Sequence, residues 1–244
     1  MKAYIQSQNN TIDVPAFSVA AAGFKSLGIP VNLFEKDTLP PTEHKEDIIV
    51  GSSYITRKHL SRFGLSLPSI DYPEELHTYF NRPIKCSTLG ALTDSDVFPI
   101  FVKPLEEKLF CGTVINSKRD LTILSNFSES TPIYTSTIIK FISEWRFFVH
   151  YGKIIGFCPY IGHPKDICDI SLVKNAVSTY KSAPCGYALD FGLTEDGNTV
   201  LIEANDGYSL CNYILPSIPY TKLLISRWCE IMEIPDSLMT KSQN

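Results

Sequence analysis

No stretch of this 244-residue chain reads GxxxxGK[S/T] or GxGxxG, so it has neither a P-loop nor the fingerprint of a dinucleotide-binding fold. Any phosphate must be held in some other way. The seven cysteines (86, 111, 158, 168, 185, 211 and 229) are an odd number with no CxxC pair, which argues against a disulfide framework and against a zinc ribbon. Reduced thiols in a cytoplasmic protein are the expectation. No apolar run approaches the length that crosses a bilayer, and Met1-Lys2 leads into AYIQSQNN, too polar for a signal peptide. The chain therefore reads as soluble and free of membrane. It has no block of Lys and Arg and a net charge of −4, so nucleic acid is not an expected partner. Repeats and low-complexity tracts are missing too. What is left, 44% hydrophobic and 20% charged, describes an ordinary globular protein, long enough for one large domain or two small ones.

Along the chain the first part reads β-α-β-β-α: AYIQS, the helix PAFSVAAAGFKSLG ending at Gly28, IPVNLFE, EDIIVGS, and the helix YITRKHLSRFG. Such alternation predicts a small open sheet with helices packed on it. The stretch LSLPSIDYPEE, Leu65 to Glu75, reads as a linker. Beyond it come a short helix (ELHTYFN), the strand FPIFVKP, the strand LFCGTVIN, a strand PIYTSTIIKFIS, the hairpin EWRFFVHYGKIIGFCPY, a helix in ISLVKNAVSTYKS, a second hairpin, and a helix in IPYTKLLISRWCEIM.

That second hairpin, CGYALDFGLTEDGNTVLIEANDG, turns at Asp196-Gly197. A symmetric turn sets Asp190 opposite Glu203. Alternation places Ala188, Asp190, Gly192, Leu201, Glu203 and Asn205 on one face and Leu189, Phe191, Leu193, Val200, Ile202 and Ala204 on the other. The Asp and Glu would lie about 4.5 to 5.5 Å apart at Cβ. Either the polar face is solvated and water screens the pair, or a divalent cation sits between the carboxylates, since Mg²⁺ takes oxygen ligands. The small residues Ala188 and Gly192 favour the cation, because they leave room to approach the backbone.

Four cationic or acidic positions stand out elsewhere. Lys103 follows the apolar run Phe98 to Val102 and precedes Pro104, so its ammonium reaches from a strand end, either toward a phosphate or simply to water. Lys108 lies in the next loop. In EWRFFVHYGK, alternation puts Glu144, Arg146, Phe148 and His150 on one face, where both charges need partners, structural or substrate. His150 reads as an exposed turn residue. The cysteines read as small core hydrophobes.

FVKP with Lys103, the strand EWRFFVHYGKIIG and the hairpin ALDFG…VLIEAND, in that order, resemble the ATP-grasp superfamily, and most of all its compact phage and bacterial-conflict members with a Glu-Trp-Arg strand and an ending like EANDGYSL. The resemblance covers Pro68 to about Leu215. It implies an α/β (α+β) ATP-grasp fold, with residues 1–66 as a small amino-terminal open-sheet lobe and 67–244 as the nucleotide- and metal-binding core. It implies ATP and Mg²⁺ (or Mn²⁺) as cofactors, with Asp190, Glu203 and Asn205 on the metal. Lys103, with Lys108 and Arg82, would hold the phosphates, and Ser136, Thr137, Ile138 and Ile139 would form the adenine hinge. Arg146 would sit near the transferred phosphate, and Glu144 would orient it or receive the charge of an incoming amine. Two departures stand out: LEEKLFCG, with one glycine, replaces the usual glycine-rich phosphate-covering loop, and the acid before the arginine is Glu rather than Asp.

The implied activity is an ATP-dependent carboxylate-amine ligase that forms a carbon-nitrogen bond through an acyl phosphate and releases ADP. The substrates would be an amino acid, a peptide or a protein terminus. Two other readings stay open on the residues alone: an ATP-binding module without turnover, and a metal-dependent phosphohydrolase.

Overall fold

A computed structural model describes residues 1–94, 97–106, 109–236 and 238. The chain begins with a parallel sheet of β1 (Ala3–Ser7), β2 (Val31–Glu35) and β3 (Ile48–Val50), ordered β2-β1-β3. Helix α1 (Pro15–Ser26) crosses from β1 to β2. Pro15 supplies a preset φ at its first turn, and Gly28 stops it at φ +72, where Ile29 N–H returns to Phe24 C=O at 2.9 Å. Helix α2 (Ser53–Ser61) starts at Ser52, whose hydroxyl accepts from Ile55 N–H. The β-α-β-β-α expectation is met element for element.

The rest is built on two antiparallel sheets. The smaller has β4 (Ile84–Thr88), β5 (Ile100–Pro104), β6 (Thr113–Ile115) and β7 (Pro132–Ser136), ordered β4-β7-β5-β6. The larger has β8 (Phe141–His150), β9 (Lys153–Ile161), β10 (Gly186–Thr194) and β11 (Thr199–Asp206), ordered β11-β10-β8-β9. Helices α3 (Leu89–Thr93), α4 (Ile170–Thr179) and α5 (Ser217–Met232) complete the order.

Two expectations change. PIYTSTIIKFIS is not one strand: β7 ends at Ser136, β8 begins at Phe141, and residues 137–140 pass from the small sheet to the large one. The apolar alternation runs across the break and hides it. The β10–β11 turn is not symmetric either. Gly197, at φ +84, lets Thr194 and Asn198 close the turn (N···O 3.0 Å), so Leu193 pairs with Thr199. A bulge between Asp190 and Phe191 then absorbs one residue and restores the pairs Asp190↔Glu203 and Ala188↔Asn205. Near the turn the faces shift accordingly. Leu201 joins Phe191 in the apolar core, and Ile202 leaves it.

The large sheet separates two cores. Trp145, Phe147, Val149, Leu189, Phe191 and Leu201 pack against α4 on one side. On the other, Phe148 and Ala188 join a core that includes Ile5, Phe24 and Ile49 of the first lobe together with Leu223, Leu224 and Trp228 of α5. His150 belongs here: it is partly buried, its Nε2 lies 2.8 Å from the Ser226 hydroxyl, and it is not a bare turn residue. The small residues of the hairpin have a packing reason. A Cβ on Gly192 would stand 2.2 Å from the Phe141 ring, so that space holds a side chain of the protein itself.

Candidate active site

The polar side of the large sheet carries the candidate residues. Arg146 on β8 lies opposite Asp190 on β10, and their side chains meet fork to fork: Nε to Oδ1 at 2.8 Å and Nη2 to Oδ2 at 2.6 Å. Both are buried, Asp190 at 2% exposure and Arg146 at 8%. Burial opposes the guanidinium's charge, but the Asp190 carboxylate more than offsets it and holds the Arg146 pKa above the usual value. Asn205 donates its amide to Asp190 Oδ2 at 3.2 Å. On the other flank, Lys103 at the end of β5 meets Glu203 at 2.5 Å and Asp71 at 2.6 Å, with the Tyr72 ring 5.4 Å from its ammonium. Burial works against this charge as well. The two carboxylates outweigh it, and the lysine is held above its ordinary pKa.

Asp190 and Glu203 thus face one another because each has its own cation. Solvent screening is not the answer for Asp190, which is covered.

Two cavities meet at Glu203. One, about 290 Å³, is lined by Ser136, Thr137, Ile138 and Ile139 of the inter-sheet connection, with Tyr72, Arg82, Phe101, Phe141, Glu144 and Glu203. The other, about 310 Å³, is lined by Asp71, Lys103, Arg146, Glu203, Asn205 and Tyr213, together with Ser53 from the first lobe. A third cavity, about 460 Å³, lies among Leu89, Leu121 and Phe127, and no candidate residue lines it.

Three assignments need correction or qualification. Glu144 does not orient Arg146, whose partner is Asp190. Burial, followed by the Asp190 and Glu144 carboxylates, raises the pKa of the Tyr160 phenol. The Arg82 guanidinium is committed to main-chain carbonyls of Phe80, Leu201 and Ile202 at 3.0 to 3.1 Å, where it ties the start of the core to the edge of β11. Lys108 lies outside the described residues.

Several residues at the site were not among the candidates. Asp71 and Tyr72 come from the linker, where IDY could be read only as a spacer. Tyr213 takes φ +46, a left-handed conformation unusual for a bulky residue. Its ring lies 5.1 Å from the Arg146 guanidinium and stacks on Tyr160 at 5.2 Å. Asn212, buried beneath, donates to the Tyr213 and Leu215 carbonyls and fixes that turn.

The donor set suits a hard cation in part. Glu203 and the Asn205 amide oxygen offer oxygen ligands on the cavity wall. Asp190 stands directly behind them, with its oxygens engaged by Arg146 and by the Asn205 amide nitrogen. Among the described residues no cluster of three or more His, Cys, Asp or Glu forms a ready-made metal cage, and no helix is long and apolar enough to cross a membrane.

Residues 79–223 match the ATP-grasp domain, R2K clade family 2, and the chain belongs to that family. Solved structures of the same fold include D-cycloserine synthetase DcsG (10% identity, TM-score 0.60, 93% of this chain and 100% of that one). The D-alanine--D-alanine ligase of Bacillus anthracis (12%, 0.53, 100% and 99%) is another, and so is a RimK domain ATP-grasp protein of Sphaerobacter thermophilus (12%, 0.54, 92% and 98%). No curated protein matches the sequence.

Proposed function

We propose that the protein is an ADP-forming ligase that joins a carboxylate to an amine through an acyl phosphate. The observation that carries this reading is the pair of cavities meeting at Glu203, one walled by a backbone connection and aromatic rings, the other by Lys103, Arg146 and Asn205. Adenine fits the first, against residues 136–139, Tyr72 and Phe101. The phosphates then pass Lys103 into the second, where a substrate carboxylate oxygen attacks the γ-phosphorus and ADP leaves. The amine attacks the acyl carbonyl, inorganic phosphate departs, and the amine's proton goes to solvent or a nearby base. Arg146, held flat between Asp190 and Tyr213, stabilises the negative charge on the carbonyl oxygen.

Glu203 and Asn205, with Asp190 behind them, would hold Mg²⁺ or Mn²⁺. When bound, the ion supplies neutralisation and alignment of the phosphate oxygens. Arg82 is left out of the phosphate set because its guanidinium donates to the carbonyls of Phe80, Leu201 and Ile202. The substrate class, an amino acid, a peptide or a protein terminus, is supported by the fold's company, which includes a D-alanine--D-alanine ligase. Free thiols and the use of ATP fit a cytoplasmic setting.

The test is product analysis. ADP and phosphate released only when a carboxylate and an amine are both present support the ligase. ATP binding with no turnover across amino acid and peptide screens would reassign the chain as a binding module. Hydrolysis that needs no nucleotide would reassign it as a phosphohydrolase.

A further inference from the structure

Lys103 has two carboxylate partners where one would neutralise it. Its ammonium lies 2.5 Å from Glu203 and 2.6 Å from Asp71, the three side chains being 20%, 24% and 9% exposed. Glu203 also carries the proposed metal-binding role, and the two tasks compete: the ammonium holds Oε2 at 2.5 Å, so a divalent cation that takes both carboxylate oxygens displaces it. The lysine must therefore leave Glu203 when the cation arrives. If Glu203 were its only partner, release would strand a largely buried positive charge.

The linker removes that cost. Asp71 is 6% exposed, its Oδ2 meets the ammonium, and its carbonyl accepts from Ala204 N–H at 2.9 Å, which fixes the residue to β11 one position beyond Glu203. Tyr72, next in the chain, lays its ring beside the same ammonium.

We infer that Asp71 is a positioning residue: it keeps hold of Lys103 while Glu203 turns to the cation, so that nucleotide and metal can bind together. The inference rests on the nucleotide reading above but not on ligase turnover. In the ligand-free protein Lys103 latches Glu203, and cation alone binds poorly. Nucleotide phosphates draw the lysine away, and Asp71 keeps it paired on the way.

The experiment measures binding, with Mn²⁺ and ADP as probes, followed by Mn²⁺ paramagnetic resonance and by calorimetry. It uses the full chain and the variants Asp71→Asn, Asp71→Glu, Lys103→Met and Glu203→Gln. Wild type is expected to bind Mn²⁺ weakly alone, and Lys103→Met to bind it about tenfold more tightly while losing ADP affinity. With ADP present, Asp71→Asn should raise the Mn²⁺ half-saturation about tenfold and Asp71→Glu should return it to near the wild-type value. Glu203→Gln should lose Mn²⁺ binding with or without ADP. An Asp71 that merely ties down the linker would give variants with lower melting temperatures but wild-type Mn²⁺ binding in the presence of ADP, and that result overturns the inference. So does equal Mn²⁺ affinity in Lys103→Met and wild type. If ADP fails to bind wild type, the nucleotide reading falls and this one with it. Absence of acceptor-dependent ADP release would strike only the ligase.

Discussion

Asp190→Asn is a perturbation for which sequence and structure lead to opposite results. Two carboxylates facing each other across a hairpin repel, so neutralising either should leave the metal-free protein as stable as before or more so. In the structure Asp190 instead forms both bonds of a fork with Arg146, the side chains being 4% and 9% exposed. Removing one member of a buried pair leaves the other charge uncompensated, at a cost of about 3 to 5 kcal/mol. Asparagine keeps the shape and one acceptor, which points to the lower end, about 3 kcal/mol. For a chain of this size that lowers Tm by roughly 6 to 12 °C. Glu203→Gln should behave differently, because Lys103 retains Asp71 and the glutamate side chain is 24% exposed; the expected loss is under about 1 kcal/mol. Thermal melts of both variants with EDTA make the comparison. Arg146→Met combined with Asp190→Leu, which removes both charges, should recover most of the stability that Asp190→Asn loses. If Asp190→Asn melts with wild type, or if the two single variants shift alike, the buried fork is not what holds these strands.

Three further outcomes are expected. His59 is fully buried on α2 against Phe63 and Trp228, and burial, helped by the Arg62 charge, lowers its pKa from 6.5 to about 4. Because the unfolded chain takes up the proton first, stability is full above pH 6.5 and falls as pH drops toward 4, by about 3 kcal/mol over that window; urea melts of His59→Phe should show a shallower pH dependence. Gly207→Ala would set a Cβ 2.3 Å from the Gly186 carbonyl oxygen, backbone against backbone, and should cost about 2 kcal/mol or more in denaturant titration. Thiol titration of native protein should find Cys86, Cys111 and Cys211 reacting fast, since they are exposed, with Cys158, Cys168 and Cys229 silent until denaturant is added.

How much of this was legible beforehand depends on whether a feature is local. Turn chemistry gave the β8–β9 hairpin at Tyr151-Gly152, where both residues take positive φ. It also gave the Asp190↔Glu203 pairing, although through a symmetric turn and an unbroken ladder, two departures that cancel at the site. Lys103 and residues 136–139 were legible through family order rather than through their own spacing. The break between β7 and β8 was not, since period-2 apolarity continues through it. Nor was Asp71: an acid in a proline-containing linker has no sequence partner, and it meets Lys103 only because Ala204 pins the linker to a sheet edge 133 residues further along the chain. Tyr213 was hidden for a similar reason, as its backbone conformation is imposed by the Asn212 side chain below it.

The core shared by the first lobe and α5 has a consequence for synthesis. Ile5, Phe24 and Ile49 emerge early from the ribosome, whereas Leu223, Leu224 and Trp228, which cover them, emerge about 170 residues later. At roughly 5 to 20 residues per second that is a wait on the order of ten seconds or more with an apolar face open to water. Gly23 sharpens the dependence, because α1 is cut to fit α5 there: a Cβ would lie 2.1 Å from the Thr221 hydroxyl. The apolar face of the nascent first sheet therefore stays uncovered until α5 arrives. A fragment ending before α5 would carry Lys103, Arg146 and Glu203 beside a first sheet whose core is left uncovered.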